Sequence, residues 1–162
     1  MIAVLDTSAI LSGKFCIGKD ISKVVTSPSV IDEFSEGGHS YRLMQYAREA
    51  GMKVLAPPED AMEKVREAAR LTGDIGLSKA DIEVLALAFY LKDDAILFTD
   101  DYSIQNVAEH IGVKYKGMLQ EGIKKKFYWK WKYKCMGCGR FVESEMDICP
   151  VCGGKIKRVR WK

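Results

Sequence analysis

Two Cys-x-x-Cys pairs near the end of the chain, Cys135–Cys138 and Cys149–Cys152, constrain the fold more than any other feature. Each pair is a tight turn that aims two thiolates at one ion. The glycine after each second cysteine, Gly139 or Gly153, admits a positive φ that a side chain resists. Four thiolates from two such knuckles complete a closed tetrahedral set, which is the ligand set of structural zinc. Disulfides are the competing reading, and they belong to oxidising compartments. The motif also divides the chain. Residues 1–117 read as a larger domain, 118–126 as a polar linker ending in Lys124-Lys125-Lys126, and 127–162 as a basic zinc ribbon.

Charge follows the same division. Residues 123–162 hold twelve Lys/Arg against three Asp/Glu, a balance of +9, whereas residues 1–122 hold thirteen against nineteen, a balance of −6. Four thiolates on one zinc leave the tail basic. A basic module beside an acidic one suggests a polyanion-binding arm next to a part that uses carboxylates. No apolar run nears the ~18 residues of a membrane span, and Met1-Ile-Ala-Val-Leu-Asp6 opens as a strand rather than a signal peptide. A cytoplasmic protein is expected, with the fifth cysteine, Cys16, as a small buried hydrophobe. One Asn and three Gln among abundant Lys and Glu lean toward a thermophile.

Along residues 1–117, strand and helix patterns alternate. Strands are expected at 2–5, 23–26, 52–56, 95–98 and 113–115. Helices are expected after Ser27-Pro28, at 41–50, at 59–71, from a Ser78 cap through Leu91, and at 102–110. The alternation predicts a three-layer α/β/α domain with a mainly parallel central sheet, followed by the ribbon.

In open α/β sheets the reactive crevice lies beyond the carboxyl ends of the strands. Asp6 follows the first strand directly, and Asp100 and Asp101 follow the strand at 95–98. Glu33, beside Asp32, lies in the helix after the second strand. Asp81 lies in the first turn of the helix that Ser78 caps. Converging carboxylates repel one another unless a hard cation neutralises them, and magnesium and manganese take oxygen ligands. Such ions serve phosphodiester hydrolysis. Each acid also has a structural reading. Ser78-Lys-Ala-Asp81 is a capping box, Asp100 or Asp101 suits a helix cap, and Glu33 suits a solvated helix face. Asp6 has no such alternative.

At these residues the chain resembles the PIN-domain family of metal-dependent ribonucleases. Val4-Leu-Asp6-Thr-Ser8 is similar to the family's opening motif, Val30-Ile-Asp-Glu33 to its V-x-x-E helix, Leu77-Ser-Lys-Ala-Asp81 to its third motif, and Thr99-Asp100-Asp101 to its T-x-D motif. The resemblance implies Asp6, Glu33, Asp81 and either Asp101, which the T-x-D register favours, or Asp100 as the catalytic acids, with Asp6, Glu33, Asp81 and Asp101 as magnesium or manganese ligands. Thr7 or Ser8 would orient the first carboxylate. A PIN-like part followed by a four-cysteine ribbon resembles the archaeal members of the NOB (Nin-one-binding) family. That implies an endoribonuclease maturing the 3′ end of small-subunit ribosomal RNA, with the pre-ribosomal small subunit as partner. A toxin-like PIN ribonuclease and a non-catalytic RNA-binding assembly module are the alternatives.

The arm points to RNA independently. Phe127-Tyr-Trp-Lys-Trp-Lys-Tyr-Lys134 alternates aromatic and basic residues, so a strand would present one kind on each face. Rings stack on unpaired bases and lysines meet phosphates. Alternatively, Trp129, Trp131 and Tyr133 fill the ribbon's own core. Candidate RNA-binding residues are Lys124, Lys125, Lys126, Lys130, Lys132, Lys134, Lys155, Lys157, Arg158 and Arg160. His39 and His110 read as helix-end or surface residues.

Overall fold

A computed structural model describes residues 1–13, 20–118, 130–142 and 146–161, with backbone only at 130, 131, 160 and 161. Cys16, the linker beyond Met118 with Lys124–Lys126, and Phe127, Tyr128 and Trp129 lie outside the described residues.

Strands and helices alternate as their apolar patterns dictate. The strands are β1 (Ile2–Leu5), β2 (Lys23–Thr26), β3 (Lys53–Val54), β4 (Ala95–Phe98) and β5 (Tyr115–Lys116). Between them run α1 (Thr7–Leu11), α2 (Pro28–Asp32), α3 (His39–Glu49), α4 (Glu59–Thr72), α5 (Lys79–Leu91) and α6 (Tyr102–His110). The five strands pair in parallel in the order β3-β2-β1-β4-β5. The chain winds outward from β1 to β3, then returns to the other side of β1 with β4 and β5. The switch point therefore lies between β1 and β4, where such sheets form their binding crevice. The middle strands are near-continuous apolar runs because helices cover both faces. Helix α5 buries residues from Ala80 to Ala88 and packs against α2, α4 and the sheet. It therefore carries apolar side chains all round, with Glu83 as a buried exception.

Some expected boundaries shift. Helix α3 starts at His39, earlier than position 41, because Gly38 takes an extended conformation and serves as N-cap. The strand expected over 52–56 shrinks to Lys53–Val54, since at the sheet edge it pairs only with Val25 and Thr26. The last strand lies at Tyr115–Lys116, beside Leu97 and Phe98, while Val113 packs into the core. The pattern gave no sign of α1. Five residues are too few for a helical period, and this helix exists because Asp6 caps it.

The C-terminal part is a three-stranded antiparallel sheet, β7-β6-β8, from β6 (Lys130–Cys135), β7 (Phe141–Val142) and β8 (Ile156–Trp161). Tyr133 sits opposite Val142 and Arg158, and Lys134 sits opposite Phe141 and Lys157. Arg158 reaches from this sheet to Asp74, in the turn after α4, at 3.2 Å. The other Asp74 oxygen accepts from Asn106 Nδ2 of α6 at 2.6 Å, and the Asp74 side chain is 1% exposed.

Candidate active site and metal centres

Asp6 leaves the end of β1 and turns the chain into α1. Its Oδ1 accepts from the Ala9 amide at 2.7 Å and from Ser8 Oγ at 2.8 Å. Thr99, at the end of β4, donates its hydroxyl to Asp6 Oδ2. The Thr99 Oγ1 in turn accepts from the Asp101 amide at 3.1 Å. One hydroxyl thus ties the acids after β1 and β4 together across the switch point. Thr99 belongs to the T-x-D signature, yet sequence reasoning gave it no task. Its signal was its spacing, two residues before an acid, where a hydroxyl naturally receives the acid's amide.

Asp101 caps α6, accepting from Ser103 N at 2.7 Å and Ile104 N at 3.4 Å. Asp100 plays a different part. Its Oδ1 accepts from the Met118 amide at 2.8 Å, and its own amide donates to Ser8 Oγ at 3.1 Å. It braces the exit of β5 against the site, whereas the Asp101 charge acts on both Asp6 and Asp81. Asp81 completes a capping box with Ser78: its Oδ2 accepts from Ser78 N at 2.7 Å and its amide donates to Ser78 Oγ at 3.2 Å. Capping and membership of the acid cluster coexist in this one residue. Glu33 ends α2, and Thr7 donates its hydroxyl to Glu33 Oε2. The two hydroxyls after Asp6 therefore divide the work, Ser8 orienting Asp6 and Thr7 orienting Glu33. Asp32 is exposed beside it.

The electrostatics reflect the crowding. Burial raises the Asp6 carboxyl above its ordinary range; hydrogen bonds from Thr99, Ala9 and Ser8 oppose this, and the Asp101 charge adds to it. Burial also raises Asp81, with Asp101 and Glu33 adding to the rise against the Ser78 bonds. Among the described residues, no Lys or Arg pairs with any of the four acids. Carboxylates without a cationic partner are the ligand type that hard divalent ions take, while among the described residues only the four ribbon cysteines stand close enough together to hold one ion as they are.

Glu83 was missed, although a lone acid on an otherwise apolar helix was its signal. Its oxygens accept from Ser29 N at 3.0 Å and Ser29 Oγ at 2.8 Å, so a side chain of α5 caps the start of α2. Burial would raise this carboxyl, but the Ser29 amide and hydroxyl and the Lys79 ammonium outweigh it and hold it below its ordinary value. Glu83 is thereby a positioning residue: it anchors the short helix that delivers Glu33. Losing a cap costs about 1 kcal/mol. Glu83→Ala is expected to weaken manganese binding severalfold, and Glu83→Gln, which keeps an acceptor, to restore most of it. A drop in melting temperature with unchanged manganese affinity would leave Glu83 a purely structural role.

The four ribbon cysteines form a second centre. Their sulfurs lie within 4.8 Å of one another, with Cys135–Cys152 at 3.4 Å and Cys138–Cys149 at 3.8 Å. A tetrahedron with metal–sulfur bonds of about 2.3 Å has edges of about 3.8 Å, so this set fits one metal ion. Gly139 and Gly153 adopt φ of +75° and +71°, the left-handed turns expected of the knuckles. The Cys138 and Gly137 amides point at Cys135 Sγ and help hold its thiol down at about 6.

Of the candidate RNA-binding residues, Lys132, Lys155 and Lys157 are exposed and Lys134 is half-buried on the described ribbon. Lys130 and Arg160 lie on β6 and β8. Arg158 engages Asp74. No helix among the described residues is long and apolar enough to cross a membrane.

These features find counterparts in known proteins. A family profile described as the PIN domain of ribonuclease matches residues 3–91. Endoribonuclease Nob1 of Pyrococcus abyssi is 42% identical over 159 residues, covering 96% of this chain and 92% of its own. Endoribonuclease Nob1 of Archaeoglobus fulgidus is 41% identical, covering 97% of this chain and 91% of its own. The protein of that name from Methanocaldococcus jannaschii is 38% identical, covering 97% and 77%. With a matching family profile over residues 3–91 and relatives this similar along nearly its whole length, the chain belongs to the PIN-domain ribonucleases, the family of these archaeal endoribonucleases.

Proposed function

We propose that this endoribonuclease matures the 3′ end of small-subunit ribosomal RNA in the cytoplasm, acting on the pre-ribosomal small subunit. Asp6, Glu33, Asp81 and Asp101 would hold magnesium or manganese, and Cys135, Cys138, Cys149 and Cys152 one structural zinc. The observation that carries the reading is the hydrogen-bond chain from Asp6 through the Thr99 hydroxyl to the Asp101 amide across the switch point, with no Lys or Arg among the described residues paired to these acids.

A bound divalent cation supplies charge to a phosphodiester in transition and makes a water more acidic. The chain's own part is to keep carboxylates charged and aimed. Thr99, Ser8 and the Ala9 amide hold Asp6 by three bonds, and Thr7 turns Glu33. Ser78 fixes Asp81, and the first turn of α6 fixes Asp101. The basic ribbon brings polyanion to this acidic part, whose own net charge would repel it. The relatives' identity as endoribonucleases supports the endonucleolytic reading, and the ribbon supports a large RNA substrate.

The test is cleavage of an RNA that spans a small-subunit rRNA 3′ end. One metal-dependent cut at or near the mature terminus is expected, absent from a scrambled RNA of equal length. Equal cutting of both RNAs would refute the rRNA assignment while keeping the nuclease.

A further inference from the structure

We infer that the outer face of the ribbon sheet carries a stacking site for one unpaired RNA base, built on Phe141 between Lys132 and Lys134. The inference rests on the RNA reading above and adds to it a site that no sequence pattern marked.

Side chains on a strand alternate between faces, and residues opposite one another in an antiparallel pair share a face. Tyr133 and Cys135 therefore point one way, together with Val142, Arg158 and Ile156. On that face Tyr133 is 8% exposed and Cys135 is fully buried, Val142 and Ile156 are half-buried, and Arg158 reaches Asp74. Tyr133 thus serves as core and is not available to stack. Lys132, Lys134, Phe141, Lys157 and Val159 occupy the other face. There the Phe141 ring is 44% exposed, and the Nζ of Lys132 and of Lys134 each lie 5.7 Å from its centroid.

A half-exposed aromatic residue on a sheet with lysines around it matches single-strand binding surfaces. In those surfaces a ring takes a base while cations take the flanking phosphates. The lysines already at the ring do not prevent this. An exposed cation–π contact is worth about two- to fivefold in affinity, whereas a base stacked on an aromatic ring is worth about five- to 150-fold. The two lysines together contribute about five- to thirtyfold, and a base displaces them because the ammonium groups regain a charge contact at phosphates one nucleotide away. Stacking asks only for a π-face, so the site selects unpaired bases over paired ones without selecting their identity.

The experiment uses the full-length, zinc-loaded protein and a single-stranded RNA oligonucleotide, with a duplex of the same sequence as reference. Phe141→Leu keeps an apolar side chain on the strand but removes the π-face. It is expected to weaken single-strand binding about tenfold, leave duplex binding unchanged and retain one zinc per chain. Its log–log salt slope should match wild type, because no phosphate contact is lost. Phe141→Tyr should restore affinity. Lys132→Ala with Lys134→Ala should instead flatten the slope by about 1.4, at roughly 0.7 per phosphate contact. Wild-type single-strand affinity in Phe141→Leu overturns the stacking site, as does equal loss for single strand and duplex. If that happens while the wild type still cuts the rRNA substrate, the proposed function stands without the stacking site. A wild type that neither binds nor cuts RNA overturns both.

Discussion

Asp6→Asn is expected to abolish RNA cleavage, by about a thousandfold or more, while leaving the protein folded. The size follows from what is removed. Metal-assisted charge stabilisation contributes several kcal/mol to such barriers, and each ~1.4 kcal/mol is tenfold in rate. The folded state should tolerate the change because Asn keeps the shape and one carbonyl for the Ala9 amide, and the Thr99 and Ser8 hydroxyls can turn to accept from its NH2. The charge itself is unfavourable in the ion-free fold, where Asp6 is only 4% exposed and burial raises its carboxyl above 3.8. A folded state that holds the proton more tightly than the unfolded chain loses stability as pH rises from the unfolded value through the raised one. The ion-free Asn variant carries no such charge and should melt no lower than wild type. Manganese should reverse the order. At a hundred times its dissociation constant a ligand adds about 2.7 kcal/mol, or roughly 5–10 °C for a chain of this size, to wild type alone. The same raised carboxyls make wild-type manganese affinity weaken as pH falls. Full cleavage by the Asn variant, or a manganese shift equal to wild type, would remove Asp6 from the site.

The second large effect concerns the ribbon. Cys149→Ser, or a strong chelator, should unfold residues 130–161 and leave the α/β domain folded. Structural zinc supplies on the order of 10 kcal/mol to folding, far more than a small ribbon's own core provides. Cys149 is buried among the other thiols, so a serine there withdraws a ligand that water cannot replace. Amide exchange would show the result region by region, and zinc analysis would show the metal leaving. A ribbon that keeps its protection without zinc would disprove this. RNA affinity should fall with the ribbon, since Lys132, Lys155 and Lys157 are displayed on it.

How much of this was legible in the chain differs from residue to residue. Helix α5 was readable because Ser78 and Asp81 form a chemical start signal, and β1 and β4 because uninterrupted apolar runs suit strands buried on both faces. The acids were readable in kind but ambiguous in role. Asp81 and Asp101 cap helices as their structural readings expected, and Asp6, for which the sequence offered no structural role, also caps one, so capping neither supports nor excludes a metal role for any of them. Neighbouring Asp100 and Asp101 differ visibly only in the fold, where Asp100 accepts from the Met118 amide and Asp101 caps α6. Thr99, Glu83 and Phe141 were invisible for a common reason. Each matters through a partner far along the chain, and a single hydroxyl, acid or ring carries no period.

The pairing of Arg158 with Asp74 bears on how freely the protein can be taken apart. Composition presents an acidic body and a basic tail as though they were interchangeable parts. Yet the body buries a carboxylate, Asp74, that takes a guanidinium from the tail, and without that arginine the buried charge is left with the Asn106 hydrogen bond alone. The excised α/β domain is therefore a weakened protein rather than half of a sound one. A foreign ribbon grafted in its place would have to bring an arginine to the same spot.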